Sequence, residues 1–279
     1  TTIAEQKPDL IVYSGDSLNS PEGLPIFRKA MTEISKVAPT FVVRGNWDVW
    51  YWNKQDLFGD TGANDLDAIA QKVEVKGNEI WLAGIPVQKE TQTDKILNEI
   101  PKDKFSIFLH HYPDEIEKVA KHNTDLYVAG HTHGGQIALP IYGALVTFSK
   151  YGKRFEGGTY KVENTWLNVN RGIGMEGGDT PRVRFWATPE ITIIDIGFTN
   201  YLNTIAKPVG YHSQFYLENK NKIYVPIWNS RVNRATSNNV NIYENLINYD
   251  PFIDYGYDVN YKLFNYFEFA QRKYKMTLR

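Results

Sequence analysis

Short apolar runs that each break off at a glycine or a polar side chain recur through the front of this chain: DLIVYSGD at 9–16, TFVVRGN at 40–46, FSIFLHH at 105–111 and DLYVAG at 125–130. Runs this short, bounded by turn residues, suit strands, whereas PEGLPIFRKAMTEISKVA at 21–38 and DEIEKVAKH at 114–122 carry helical spacing, with Asp114 placed to cap the second. KVEVKGNEIWLAGI at 72–85 predicts a hairpin turning around Gly77-Asn78, where a positive φ is easily adopted. From about residue 158 the pattern turns to strands alone, GGTYKVENTWLNVNRG and then VRFWATPEITIIDI. An α/β front followed by a β-rich back, within one domain, is the economical reading.

Composition narrows the chemistry. With no cysteine in 279 residues, there is no disulfide framework and no thiolate metal site, so a metal must be held by His, Asp, Asn or Glu. A formal charge of -1 leaves no global footprint for nucleic acid, and no motif marks a specific nucleic-acid module. No apolar run approaches the roughly 18 residues of a transmembrane segment.

The strand ends carry metal-competent groups: Asp16 in SGDS, Asn46 in RGNWD, His111 in HHYPD, and His131 with His133 in GHTHGG. Taken singly, Asp16 and Asn46 suit turns or helix caps, and His111 suits an ordinary hydrogen-bonded histidine. As a series, all following strands, they would gather along one edge of a sheet, where α/β folds place their ligands. A set of carboxylate, amide oxygen and imidazoles suits Zn, Mn or Fe better than Ca or Mg. His110 should point away from such a site, because neighbouring side chains on a strand face opposite ways. Asp48 fits an orienting role, and Gln136 fits a bond to backbone near the site.

GDSLNS, GNWD, HHYPD and AGHTHGGQI resemble the ordered motifs of calcineurin-like metallophosphoesterases, normally DxH, GDxxD, GNH(D/E), an isolated His, and GHxH. Longer echoes, PDLIVYSGD, AGHTHGGQIALPIYGAL, SKYGKRFEGGTY, VNRGIG and PEITIIDI, are similar to the bacterial-type branch whose metal motif reads AGHTHGGQ. The resemblance covers residues 1 to about 196 and implies a four-layer α/β/β/α sandwich, lacking its first strand, with a C-terminal extension. It implies a dinuclear site for two divalent transition-metal ions (Mn, Zn or Fe), with Asp16 bridging, Asn46, His111 and His131 completing one metal, and His133 on the other. Asp16, Asn46 and His131 would then be the catalytic set. The implied reaction is hydrolysis of a phosphomonoester or phosphodiester by in-line attack of metal-bound hydroxide.

Two departures from the family pattern matter. DxH is absent from these 279 residues, so the second metal keeps only Asp16 and His133 from the recognised set. Trp47 stands where GNH(D/E) supplies a histidine that protonates the leaving group or contacts phosphate, so a catalytically impaired or noncatalytic metal- or phosphate-binding relative is the alternative. Arg171 and Trp47 are the candidate substrate contacts, with a small-molecule phosphoester or a lipid-like substrate expected. The compartment stays open: the resemblance allows a membrane-associated or exported protein, and a cytoplasmic one is the alternative.

Residues 197–279 form a chemically distinct segment, holding 11 of the 18 tyrosines and 13 asparagines, with 10 Lys+Arg against 6 Asp+Glu. The expectation is a metallophosphoesterase domain over 1–196 and a poorly ordered or accessory Asn/Tyr-rich extension over 197–279.

Overall fold

The computed structural model describes residues 2–176, 182–234 and 246–278. Contacts divide the chain into a first unit running to Thr192 and a second beginning at Ile193. In chain order the first unit contains α1 (Thr2–Glu5), β1 (Ile11–Tyr13), α2 (Leu24–Ser35), β2 (Thr40–Val42), α3 (Asn46–Trp50), β3 (Ala63–Asp65), β4 (Ile69–Val75) and β5 (Asn78–Ile85). It continues through α4 (Thr93–Asn98), β6 (Ser106–His110), α5 (Ile116–Lys121), β7 (Leu126–Ala129), the short pair β8 (Ala138–Leu139) and β9 (Gly143–Ala144), β10 (Gly158–Val162) and β11 (Thr165–Val169).

These strands make a small parallel sheet, β1-β2-β3, and a six-stranded mixed sheet in the order β10-β11-β7-β6-β5-β4. In the larger sheet β11, β7, β6 and β5 run parallel, and the two outer strands are antiparallel to their neighbours. The central strands are the continuous apolar runs of the sequence: every residue of β6 and β7 is buried, as strands covered on both faces require. Edge strand β4 instead alternates between half-buried and exposed positions.

Helices cover the outer faces. Met31 of α2, with Phe27 and Ile34 against it, packs with Val42, Leu57 and Phe58 on the small sheet. On the large sheet, Ile96 and Leu97 of α4 and Ile116 and Val119 of α5 pack with Ala83, Phe108, Tyr127, Leu167 and Val169. Between the sheets, Gly84 of β5 lies so close to Leu66 and Val43 that a Cβ there would fall 2.4 Å from the Leu66 Cβ. The expected α/β sandwich with mixed sheets and flanking helices is therefore the architecture found.

Local departures have physical causes. The β4–β5 turn is Lys76-Gly77, both at positive φ (49° and 76°), and Asn78 already pairs with Val75, one residue earlier than the sequence suggests. Gly77 supplies the left-handed freedom, and Lys76, exposed, tolerates it. Asn46 opens α3 rather than ending a strand. The strand expected over VRFWATPEITIIDI reduces, among the described residues, to isolated bridges of Phe185 and Trp186 with Ile137. A neighbour that offers one residue cannot extend a ladder.

The second unit comprises α6 (Ile196–Thr204), α7 (Gln214–Asn233) and α8 (Gly256–Lys273). Far from unstructured, its Tyr- and Asn-rich sequence builds a core of Leu217, Val225, Trp228, Phe264 and Phe267. Buried asparagines join the pair of long helices: Asn221 Nδ2 donates to the Asn260 carbonyl at 3.0 Å and to Asn260 Oδ1 at 3.1 Å, and within α8 Asn260 Nδ2 donates to the Gly256 carbonyl at 2.9 Å. Composition without a clear apolar stripe concealed this, because the asparagines that read as polar are partnered core residues. No helix among the described residues is long and apolar enough to cross a membrane.

The contact between the sheets can be tested at Gly84. Gly84→Val should lower unfolding free energy by about 1–3 kcal/mol through overpacking, measured by urea denaturation. An unchanged midpoint would mean that the sheets separate freely at this point.

Candidate metal centre

All the candidate ligands sit just beyond the C-terminal ends of parallel strands. Asp16 follows β1, Asn46 follows β2, His111 follows β6, and His131 and His133 follow β7. Two of these loops are fastened by one side chain. The Asp48 carboxylate, fully buried, accepts from the backbone N–H groups of Asp16 and Ser17, each at 2.8 Å, and of Gly45 at 2.9 Å. Burial pushes this carboxyl up, with the nearby Asp16 charge adding to it and the N–H donors of Ser17 and Gly45 opposing. The loops abut backbone to backbone: a Cβ on Gly45 would fall 2.2 Å from Asp16 Oδ1. That oxygen accepts the Trp47 N–H at 2.9 Å.

Asp16, His111 and His131 form one group whose ligand atoms all lie within 4.8 Å of one another, and Asp16, His133 and Glu176 form another to the same limit. These are two potential metal-ligand clusters sharing Asp16, an arrangement consistent with a dinuclear site. Asn46 is buried beside them at the start of α3. Asp16 Oδ2, Asn46 Oδ1, His111 Nε2, His131 Nδ1 and His133 Nε2 are all buried and without a hydrogen-bond partner. Orphaned buried atoms of this kind are costly, and a cation at their focus would satisfy them.

His111 shows the point most directly. Its Nδ1 lies 2.7 Å from the Ser14 carbonyl, so the neutral ring places its proton there and leaves the Nε2 lone pair 3.1 Å from Asp16 Oδ2, with no hydrogen bond between them. Two lone-pair atoms at that distance require a proton or a metal between them. Burial lowers the His111 imidazole, but the Asp16 carboxylate outweighs it and the net direction is upward. Asp16 is held below the usual carboxylate range: burial raises it, and His111, with the Trp47 N–H and His131, more than reverses this. His131 is pushed down to about 4, chiefly by burial and then by the His111 charge, so it stays neutral and available as a ligand at neutral pH.

His110 turns the other way, with Nδ1 2.8 Å from the Ile85 carbonyl and Nε2 3.6 Å from Glu90. Arg171 lies against the HxH loop, where a Cβ on Gly134 would meet its side chain at 2.9 Å, and it pairs with Glu190 at 3.5 Å. Trp47 stacks obliquely on Tyr51 at 4.9 Å and donates its indole N–H to Glu176 Oε1 at 3.1 Å.

Two residues of this centre carry no signal in the motifs. Glu176 follows β11, and its place in GIGMEGG, a polar group among glycines after a strand, repeats the pattern of the other ligands. Arg184 donates to the carbonyls of His133, Arg171, Gly174 and Ala187, and its Nη2 lies 3.0 Å from His133 Nδ1. A guanidinium can only donate, so Nδ1 accepts and the neutral His133 ring carries its proton on Nε2. Coordination through Nε2 would require Arg184 to release Nδ1.

Asp48→Ala strands three backbone N–H groups. The expected cost is on the order of 3 kcal/mol, since hydrogen bonds to a charged acceptor are worth about 1.5–3 kcal/mol each and do not add fully. Chemical denaturation would read it, and a loss below about 1 kcal/mol would mean that water replaces the carboxylate.

Comparison with known proteins agrees with this geometry. The model of the calcineurin-like phosphoesterase family matches residues 1–135. A family of unknown function, DUF6146, matches residues 186–279. The uncharacterized metallophosphoesterase YkuE of Bacillus subtilis is 34% identical over 217 residues, covering 71% of each chain. Phosphodiesterase YaeI of Escherichia coli is 27% identical over 207 residues, 69% of this chain and 72% of its own. An uncharacterized metallophosphoesterase of Aquifex aeolicus is 24% identical over 200 residues, 68% of this chain and 74% of its own. On the extent and identity of the first of these matches, the chain belongs to the calcineurin-like metallophosphoesterase family.

Proposed function

We propose that this protein is a metal-dependent phosphoester hydrolase whose first metal is held by Asp16, Asn46, His111 and His131, with His133 on the second. The observation that carries this reading is that Asp16, His111, His131 and His133 fall into two ligand clusters sharing Asp16 and leave buried polar atoms without hydrogen-bond partners, as Asn46 Oδ1 also is. Divalent ions there would supply Lewis-acid activation of water and neutralise charge on the phosphoryl oxygens. The chain's own contribution is positional. Asp48 fixes the loops carrying Asp16 and Asn46, and the Ser14 carbonyl fixes the His111 tautomer. Arg171, 38% exposed at its side chain, is assigned to the phosphate oxygens, an assignment that guanidinium chemistry supports. Trp47 and Tyr51 offer an aromatic wall for the ester's organic part. The printed name of YaeI, a phosphodiesterase, makes a phosphodiester the first substrate to try.

A second reading rests on Trp47. An indole N–H that donates to Glu176 cannot protonate a leaving group, and loss of a positioned acid removes about 10²- to 10⁴-fold of rate. A metal- or phosphate-binding relative without turnover follows if that loss is complete.

Elemental analysis and hydrolysis of bis(p-nitrophenyl) phosphate, whose leaving group needs little protonation, separate the readings. Bound transition metal with turnover supports the hydrolase, and bound metal without turnover supports the binding relative. His131→Ala should remove one metal equivalent and any activity. Unchanged metal content in that variant overturns the ligand assignment.

A further inference from the structure

We propose that Glu176 is a ligand of the second metal, held in place for that role by Trp47 and Gln136. This rests on the two-metal reading above and adds to Asp16 and His133 a carboxylate that the family motifs do not mark.

The geometry is specific. Glu176 Oε1 receives the Trp47 indole N–H at 3.1 Å and faces His133 Nε2 at 3.7 Å. Its backbone is clamped at two points, with the Glu176 N–H donating to Gln136 Oε1 at 2.7 Å and Gln136 Nε2 donating to the Glu176 carbonyl at 2.8 Å. A side-chain amide both donates and accepts, so one Gln holds the N–H and the carbonyl of the same residue. Gln136 is itself three residues past His133 in AGHTHGGQ, and its own carbonyl accepts the Phe185 N–H at 2.9 Å. One loop therefore carries His133 and the clamp that fixes Glu176 beside it.

A structural ion pair with His133 is the simpler account of Glu176, and two observations go beyond it. Carboxylate oxygens of Glu176 and Asp16 and a ring nitrogen of His133 all lie within 4.8 Å of one another, close enough for one cation to reach all three. The guanidinium of Arg184 is adjacent, yet its bonds go to carbonyls and to His133 Nδ1 rather than to either carboxylate. Asp16 Oδ2 and His133 Nε2 stay unpartnered. The three groups are thus two acceptors and an imidazole around an uncompensated focus, the donor chemistry of a hard-to-borderline divalent ion.

Trp47 gains a role from this that its place in the motif hides. The residue standing where the family has a histidine becomes a positioning residue for a carboxylate. Partners that orient a metal ligand are worth about 10- to 100-fold in metal affinity.

The test is Mn²⁺ titration of the chelator-treated full chain, with stoichiometry from equilibrium dialysis and tryptophan emission followed in parallel. The wild type should take up two equivalents, Glu176→Gln one, and Trp47→Phe two with the second weakened about 10- to 100-fold. Emission should change with the second equivalent in the wild type, as a cation draws on the carboxylate that accepts the Trp47 indole N–H, and should not change at that step in Trp47→Phe. Retention of the first equivalent and of the thermal midpoint shows that each variant is folded. Two equally tight equivalents in Glu176→Gln, or a wild type that stops at one, overturn the assignment of Glu176 and leave the first-metal reading standing. A wild type that binds none overturns the two-metal reading itself.

Discussion

The buried Asp48 carboxylate is the interaction on which the metal centre depends. Strands β1 and β2 end side by side, and both chains must turn sharply there with their N–H groups pointing inward. A single acceptor for Asp16, Ser17 and Gly45 fixes both turns at once. The glycines at 15 and 45 follow from the same constraint, because a Cβ on Gly15 would lie 2.3 Å from the Gly45 nitrogen. Close approach of two backbones, held by a third group, positions the candidate ligands in advance, which would lower the ordering cost of binding an ion there.

Electrostatics then divides the centre into two unlike halves. Around His111 and His131 the environment is dry, and a ring held at about 4 by burial remains a neutral ligand. Around His133 and Glu176 the groups are half-buried, and Arg184 draws on the imidazole nitrogen opposite the one facing the carboxylate. An ion entering the first half displaces little, whereas one entering the second must also rearrange an arginine bond. The two positions are therefore expected to differ in affinity on geometric grounds alone.

Much of this was legible in the sequence. Strands β1, β2, β6 and β7 announced themselves as apolar runs, β3 did not, and Asp16, Asn46, His111, His131 and His133 stood out by following such runs. What stayed hidden was of two kinds. Long-range pairings leave no local trace: Trp47 reaches Glu176 across 129 positions, and Arg184 reaches His133 across 51. Polar cores mislead composition: the asparagines that made residues 197–279 look accessory are hydrogen-bonded interior groups of α7 and α8. Strand length was also misjudged after residue 182, because β-propensity cannot report whether a neighbour exists to pair with.

Residues i and i+2 share a face of a strand, so HxH in extended geometry would present both rings to one side. Here the chain leaves extended geometry instead, and it does so by strain. His131 and His133 sit at φ values of 68° and 52°, and Asp16 at 61°, all in the left-handed region that costs a side-chain-bearing residue about 1–3 kcal/mol. Thr132 between them is buried and donates to the Glu156 carbonyl at 2.8 Å, which pins the tight turn. Gly134 and Gly135 follow because a Cβ at either would strike Arg171 or Ala144. The glycines that hem in the histidines thus let the loop fold flat against its neighbours, so that both rings turn toward Asp16. Strain gathered at three ligand positions of one centre persists only where the surrounding contacts over-determine it, and Asp48, Thr132 and Arg184 are those contacts.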